Sequence, residues 1–229
     1  MHMKRVTSPK FWKAGRKKHV WIISPVPGPH PKRFSFPLGV IVRDYLGFAQ
    51  NRREAKAALN SGNVLVDGVV RRELKFPVGL MDVITIVPLK KHYRVIPYEK
   101  GLRIIEIPEK EAKIKVLRVV RKQVIENGKL QITTHDGRNF LNVKADVGDS
   151  LVISLPDGKI KSILKLEPGA LALVIKGRRA GRMGKVISVG RNVRMEGVKE
   201  VFEAPKEYVM VIGKGKPVVK MYEDEGTGD

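Results

Sequence analysis

The spacing of hydrophobic and polar positions changes several times along this chain, and each change marks an element. In the segment NRREAKAALNSGNVLVDGVV, Asn51 to Val70, Ala55, Ala58 and Leu59 recur at helical spacing and predict a short helix with one buried stripe. Asn51 is its N-cap, and Glu54 three residues on completes a capping box. Gly62 ends the helix, Val64 and Val66 alternate as a strand, and Asp67-Gly68 predicts a tight hairpin. Ahead of this unit, Leu38 to Gly47 predicts a first short helix, with Pro37 at its opening turn and Ile41 and Tyr45 on one face. After it, Phe76-Pro77-Val78-Gly79 predicts a turn and Asp82 to Val87 a strand.

From about Lys91 to Pro168 the pattern becomes short β runs. Lys113 to Val120, Lys129 to Thr133, Ser150 to Leu155 and Ile160 to Leu166 are rich in Val, Ile and Leu. Asn127-Gly128, Asp136-Gly137 and Asp157-Gly158 supply the turns of a small all-β module. Beyond Pro168-Gly169, Leu171 to Ile175 and Lys185 to Val189 predict two strands around a glycine- and arginine-rich loop, Lys176 to Gly184. The first forty residues have no such period. Pro9, Pro25, Pro27, Pro29, Pro31 and Pro37 disfavour helix interiors and central strands, so this stretch predicts an extension without a core of its own. Taken together, the pattern predicts a multi-domain α+β protein. Its parts are a basic extension (1–40), a small α/β unit (41–90), a central all-β module (91–168), a C-terminal β unit (169–220) and a tail (221–229).

Composition narrows the partners. The 229-residue chain is 42% hydrophobic, enough for packed cores, yet carries a formal net charge of +22. Self-repulsion of that size calls for a polyanion, either nucleic acid or an anionic membrane surface. No apolar run reaches the roughly 18–20 residues of a spanning helix, and the basic N-terminus lacks the apolar stretch of a secretory signal. The sequence has no cysteine, which excludes disulfides and cysteine-bound metals and suits a reducing cytoplasm. The charge is uneven. Lys4, Arg5, Lys10, Lys13, Arg16, Lys17, Lys18, Lys32 and Arg33 occur before any acid, whereas Glu223, Asp224, Glu225 and Asp229 close the chain.

Interleaved rings sharpen this reading. Phe11, Trp12, Trp21, Phe34 and Phe36 among cations and prolines describe an extension that orders on a partner, with rings for stacking and cations for phosphates. The alternative, that rings such as Trp21 pack back on the protein, stays open. Arg52 and Lys56 lie one turn apart on the helix, with Arg53 beside them. Arg178, Arg179, Arg182 and Lys185 project from the glycine-rich loop, where backbone N–H groups and guanidinium forks can hold phosphate together. A solvated basic hairpin is the plainer alternative. Nothing reads as catalytic. The five histidines are scattered without ligand spacing, His135-Asp136 is explained as turn chemistry, and Gly213-Lys-Gly-Lys-Pro217 lacks the spacing of a phosphate loop. No metal, cofactor or small-molecule substrate is expected.

Asn51 to Gly68 resembles the S-four RNA-binding domain, with its polar cap, arginine, alanine and G-x-V-x-V-[ND]-G pattern. Gly169 to Val186 resembles a KOW motif, which implies an SH3-like β-barrel at the C-terminus. With KRVTSPKFW near the start, FPVGLMDVITI, THDGRNF and VIGKGKP in the same order, nearly the whole chain is similar to the S-four-e family of small-subunit ribosomal proteins. That resemblance implies a non-catalytic cytoplasmic protein of the small ribosomal subunit, bound to ribosomal RNA and to neighbouring ribosomal proteins. The acidic tail and the short segment Gly190 to Tyr208 point to an archaeal member. The residues expected on RNA are Lys4, Arg5, Lys10, Trp12, Lys13, Arg16, Lys17 and Lys18 of the extension. They continue with Arg43, Arg52, Arg53, Lys56, Arg71, Arg72 and Lys75 of the S-four unit, and with Arg178, Arg179, Arg182 and Lys185 of the KOW loop. The alternative is a KOW-containing transcription elongation factor that binds RNA, which would leave the extension and S-four unit without a role.

Overall fold

A computed structural model of the chain describes residues 3–12, 20–99, 101–125, 128–198 and 200–222. Strands β1 (Met3–Lys4) and β2 (Trp21–Ile22) pair antiparallel, and β3 (Ser35–Pro37) leads into the first helical turn, α1 (Leu38–Val40). That helix widens into a π turn over Ile41–Tyr45 and ends at Gly47, whose φ is +67°. The basic helix α2 (Arg52–Asn60) follows, then the hairpin of β4 (Val64–Val66) and β5 (Val69–Val70). Asp67 and Gly68 both hold positive φ at its turn, 53° and 77°, as an Asp-Gly hairpin requires. Next come β6 (Pro77–Gly79), β7 (Val83–Ile86), β8 (Lys91–Tyr98) and β9 (Gly101–Ile107). The long β8–β9 hairpin extends the sheet of β4 and β7, giving the order β5-β4-β7-β8-β9 across residue 90.

After the short helix α3 (Glu109–Ala112), the central sheet is built from β10 (Ile114–Val124), β11 (Leu130–Thr134), β12 (Asn139–Leu141), β13 (Ser150–Ser154) and β14 (Ile160–Leu164). Its order is β12-β11-β10-β13-β14. The last sheet holds β15 (Ala170–Val174), β16 (Met183–Val189), β17 (Asn192–Glu196), β18 (Val201–Pro205), β19 (Val209–Lys214) and β20 (Lys216–Pro217), in the order β18-β17-β16-β15-β19-β20. The architecture is thus mostly β with few helices, more so than the expected α+β. Phe76–Gly79 is the clearest difference. The expected turn is a strand, β6, that pairs with β3 some forty residues earlier.

The described part of the N-terminal stretch, expected to have no core of its own, joins that of the domains that follow, as the alternative left open above has it. Trp12 is only 3% exposed, and its indole Nε1 donates to the Ser35 carbonyl at 3.0 Å. The Phe11 and Tyr45 rings meet Phe36 edge-on with centroids 5.0 Å away, and the Tyr45 hydroxyl donates to the Phe11 carbonyl at 2.8 Å. Prolines cannot donate to a ladder, so the strands here are short and ring packing adds to their hold on this stretch. Its apolar residues join a core that runs through the first and central sheets to Met221. A second core lies between β13–β14 and the last sheet, around Val152, Leu164 and Phe202.

Charges bind the layers as well. Lys115 on β10 is buried, and its Nζ donates to Asp67 and Asp82 at 2.6 Å each and lies 3.3 Å from Asp136. Arg138 pairs with Asp67 at 2.8 Å and Asp136 at 3.0 Å, while His30 Nε2 stands 3.0 Å from the Asp82 carboxylate. This cluster joins the N-terminal stretch, the β4–β5 turn, β10 and the β11–β12 turn. Burial alone would neutralise these groups. For Asp82 it is outweighed by Lys115 and His30, so the carboxyl lies well below its usual range. For Lys115 it is outweighed by the three aspartates, which hold the amine above the usual lysine value. A further tie is Arg118, whose Nε donates to the Val209 carbonyl at 2.8 Å and fastens the central sheet to the last one.

His135 is the neutral member of this interior. Its Nδ1 accepts from the Arg118 N–H at 3.1 Å, and its Nε2 donates to the Leu80 carbonyl at 3.1 Å. Both nitrogens are therefore used by the uncharged ring, and His135-Asp136 does more than shape a turn. Burial, with Lys115 and His30 nearby, pushes the imidazole down to about 4, although Asp136 acts the other way. A group depressed on folding gives stability above its unfolded value, near 6.5, that is lost as pH falls towards the folded one. At about 1.4 kcal/mol per unit, His135 alone should cost on the order of 2–3 kcal/mol between pH 6.5 and 4. Denaturation across that range should show the decline, reduced in His135→Asn. A flat profile would contradict the assigned tautomer.

Candidate RNA-binding surface

The first basic place is α2. The Asn51 side chain accepts from the N–H groups of Arg53 at 2.9 Å and Glu54 at 3.0 Å, which fixes the first turn. Glu54 reaches back to the N–H of Gln50 at 2.8 Å, one residue earlier than a reciprocal box would place it. Ala55 and Leu59 are buried and Ala58 is half-buried, so the helix presents Arg52, Arg53 and Lys56 to solvent. The N-terminal end of the helix already favours anions, and these cations add to that potential. Replacing Arg52 and Arg53 together by Ala should weaken RNA binding roughly tenfold, as phosphate contacts are lost. Melting temperature should move little, because exposed positions change stability by about 0.5 kcal/mol or less. A large stability loss with unchanged affinity would make both arginines structural.

Other expected residues vary in their freedom to meet RNA. Arg72 is exposed, and Lys75 is half-buried. Arg71 is half-buried with its guanidinium 4.5 Å from the Phe76 ring centroid. Arg43 is engaged by its neighbour Asp44, at 2.7 and 2.9 Å, which offsets its charge. Lys4 and Lys10 are exposed. Two residues of the extension require correction. Arg5 is only 5% exposed, with its Nε 3.4 Å from the Trp21 carbonyl, and Trp12 is core, so neither presents its side chain to a partner. Lys13, Arg16, Lys17 and Lys18 lie outside the described residues, as do the tail acids Glu223, Asp224, Glu225 and Asp229.

The second basic place is the loop between β15 and β16. Ala180 forms a bridge with Glu99 at the tip of the β8–β9 hairpin. Gly181 has a φ of +88°, and an added Cβ there would sit 3.1 Å from the Pro97 carbonyl. A side chain there would be strained by the positive φ and would press on the hairpin backbone. Arg178 and Lys185 are exposed, and the Arg179 Nη1 donates to the Glu203 carbonyl at 3.0 Å. Arg182 is paired with Glu200, which reduces its share in any anion site. The structure adds Arg103 to the candidates, and it brings Lys32 and Arg33 of the N-terminal stretch and Lys176 of the loop to neighbouring hollows. Arg103 sits in a strand, and Lys32 and Arg33 follow prolines.

Among the described residues, no group of three or more His, Asp or Glu side chains is arranged to hold a metal ion. No helix there is long and apolar enough to cross a membrane. Comparison with known proteins gives a consistent picture. Residues 1–33 match the RS4NT domain, 38–84 the S4 domain and 89–160 the ribosomal family S4e. A protein of Korarchaeum cryptofilum named small ribosomal subunit protein eS4 is 40% identical over 226 residues, covering 96% of each chain. One of the same name from Staphylothermus marinus is 41% identical over 97% of this chain and 96% of its own. The crystal structure of the 30S ribosomal protein S4e from Thermoplasma acidophilum superposes with a TM-score of 0.69 at 35% identity. That superposition covers 79% of this chain and 95% of the other.

Proposed function

The chain belongs to the ribosomal S4e family, and from that membership we propose that it is a structural, non-catalytic constituent of the cytoplasmic small ribosomal subunit. It binds ribosomal RNA and holds helices of that RNA in position, beside neighbouring ribosomal proteins. The observation that carries this reading is the likeness to proteins named eS4 over 96% of both chains. A transcription elongation factor would share only the C-terminal part, so that reading is not favoured.

Within this role, α2 with Arg52, Arg53 and Lys56 forms one phosphate-binding edge, together with Arg72 and Lys75. The loop from Lys176 to Gly184 acts as a KOW-like element on an SH3-like unit, with Arg178 and Lys185 as its free cations. An A-form major groove is too narrow to read, so recognition rests on backbone shape and 2′-hydroxyls. Two rigid basic places on one protein suit the fixing of RNA helices relative to each other. Crosslinking within intact small subunits tests this directly. Crosslinks from α2 and from loop 176–184 should map to separate ribosomal RNA helices. Crosslinks only to protein would overturn the assignment.

A further inference from the structure

A groove runs across the face where the N-terminal stretch, the β8–β9 hairpin and the loop 176–182 meet. Its middle is a trough of about 920 Å³, comparable with sites that take whole small molecules (roughly 300–1,000 Å³), lined by Lys10, Arg33, Phe34, Tyr98 and Arg103 among others. One end shares Arg33 and continues to Lys4, Trp21 and Lys32. The other shares Phe34 and continues to Lys176 and Arg178. Cations therefore line the groove along its whole length. Glu99 is the one acid among the described lining residues, and its backbone is committed to the bridge with Ala180.

The groove also carries rings at spaced positions. Trp21 is 54% exposed and Tyr98 45% exposed. The Arg103 guanidinium lies 5.1 Å from the Tyr98 centroid, and the Lys176 amine lies 5.5 Å from that of Phe34. A half-exposed ring such as Tyr98, with a cation over one face, suits a base that stacks on its other face while its phosphate meets the charge. A duplex cannot use these rings, because its bases are already stacked on each other. It offers only phosphates and 2′-hydroxyls. The groove thus differs from α2, whose own residues include cations but no ring.

We infer that this groove binds an unpaired RNA segment, stacking its bases on Tyr98 and neighbouring rings while Lys10, Arg33 and Arg103 hold its backbone. The inference rests on the RNA-binding role proposed above and gives that role a second mode, single-stranded beside duplex. It also gives the N-terminal rings a binding task, through the exposed Trp21 rather than the buried Trp12.

The test uses the full chain and two probes, a short mixed-sequence single-stranded RNA carrying one 2-aminopurine and an RNA duplex of equal phosphate number. Tyr98→Ala should weaken single-strand binding roughly tenfold and reduce the stacking change in 2-aminopurine fluorescence, with duplex binding unchanged. Tyr98→Phe should restore both readouts, and Arg33→Ala should weaken the single strand through a separate residue. Arg52→Ala with Arg53→Ala should instead weaken the duplex. If Tyr98→Ala and Arg33→Ala leave the single strand bound as before while the α2 variant still loses the duplex, the groove assignment fails and the wider role stands. If the unaltered protein binds neither RNA, both fail. An oligo-aspartate peptide binding as tightly as the single strand would also overturn the inference, since it would reduce the groove to charge alone.

Discussion

Lys115→Met should lower the unfolding free energy by about 3–5 kcal/mol, as removing one partner of a buried charge cluster does. Lys115 has no route to solvent and is enclosed by Asp67, Asp82 and Asp136. Removing it takes from three buried carboxylates the one cation within 3.3 Å of all of them and leaves Arg138, His30 and a few N–H and hydroxyl donors. They must then repel, take up protons or draw in water, and each course costs free energy. The ion pair of Lys122 with Asp146 supplies the contrast, because the Asp146 side chain is 81% exposed. Lys122→Met should cost less than about 1 kcal/mol, as exposed pairs do. Chemical denaturation of both variants makes the comparison. Similar losses for the two would mean that the cluster does not hold the layers together.

Binding to small-subunit ribosomal RNA should fall steeply with salt. If about eight phosphates are neutralised, the slope of log K against log salt is roughly −6 to −7, depending on RNA form. Between 50 and 200 mM that slope amounts to about a 10⁴-fold loss of affinity. The protein's net charge of +22 is ample for this, but the structure discounts part of it. Lys115 and Arg138 serve the interior, while Arg43 and Arg182 are offset by Asp44 and Glu200. The slope should thus follow exposed cations such as Arg52, Arg53, Lys56 and Arg178 rather than the total. Filter binding over a salt series measures it. A nearly salt-independent affinity would remove the electrostatic basis of the account.

How much of this the sequence carries depends on whether the signal is local. The helix at Asn51 and the Asp67-Gly68 hairpin are legible because cap, stripe and turn lie within a few residues of each other. Strands β10, β11, β13 and β14 are legible for the same reason. Strand β6 is not, because Phe76-Pro77-Val78-Gly79 looks like a turn until its distant partner β3 is known. Pro97 similarly disguises β8, whose long pairing with β9 supports it. Charged residues are the hardest to place. Asp67 and Asp136 read as turn residues, and they are, but each also faces Lys115 across the core. A buried lysine in a β run has no local mark that separates it from an exposed one. Trp12 and Arg5 mislead in the opposite sense, since cations and rings without periodicity resemble an open extension. Of the candidate surface, the α2 edge and the glycine-rich loop are visible in the sequence. The groove that Lys32, Arg33, Arg103 and Lys176 help to line emerges only from tertiary structure.

The central claim is that rigid, separated basic places on this chain hold it to a single large RNA particle. Sedimentation of cell extract at moderate salt, followed by detection of the chain across the gradient, tests it most directly. The protein should travel with small subunits and leave them only as salt is raised. Its recovery at the top of the gradient, apart from ribosomal particles at every salt, would contradict the account.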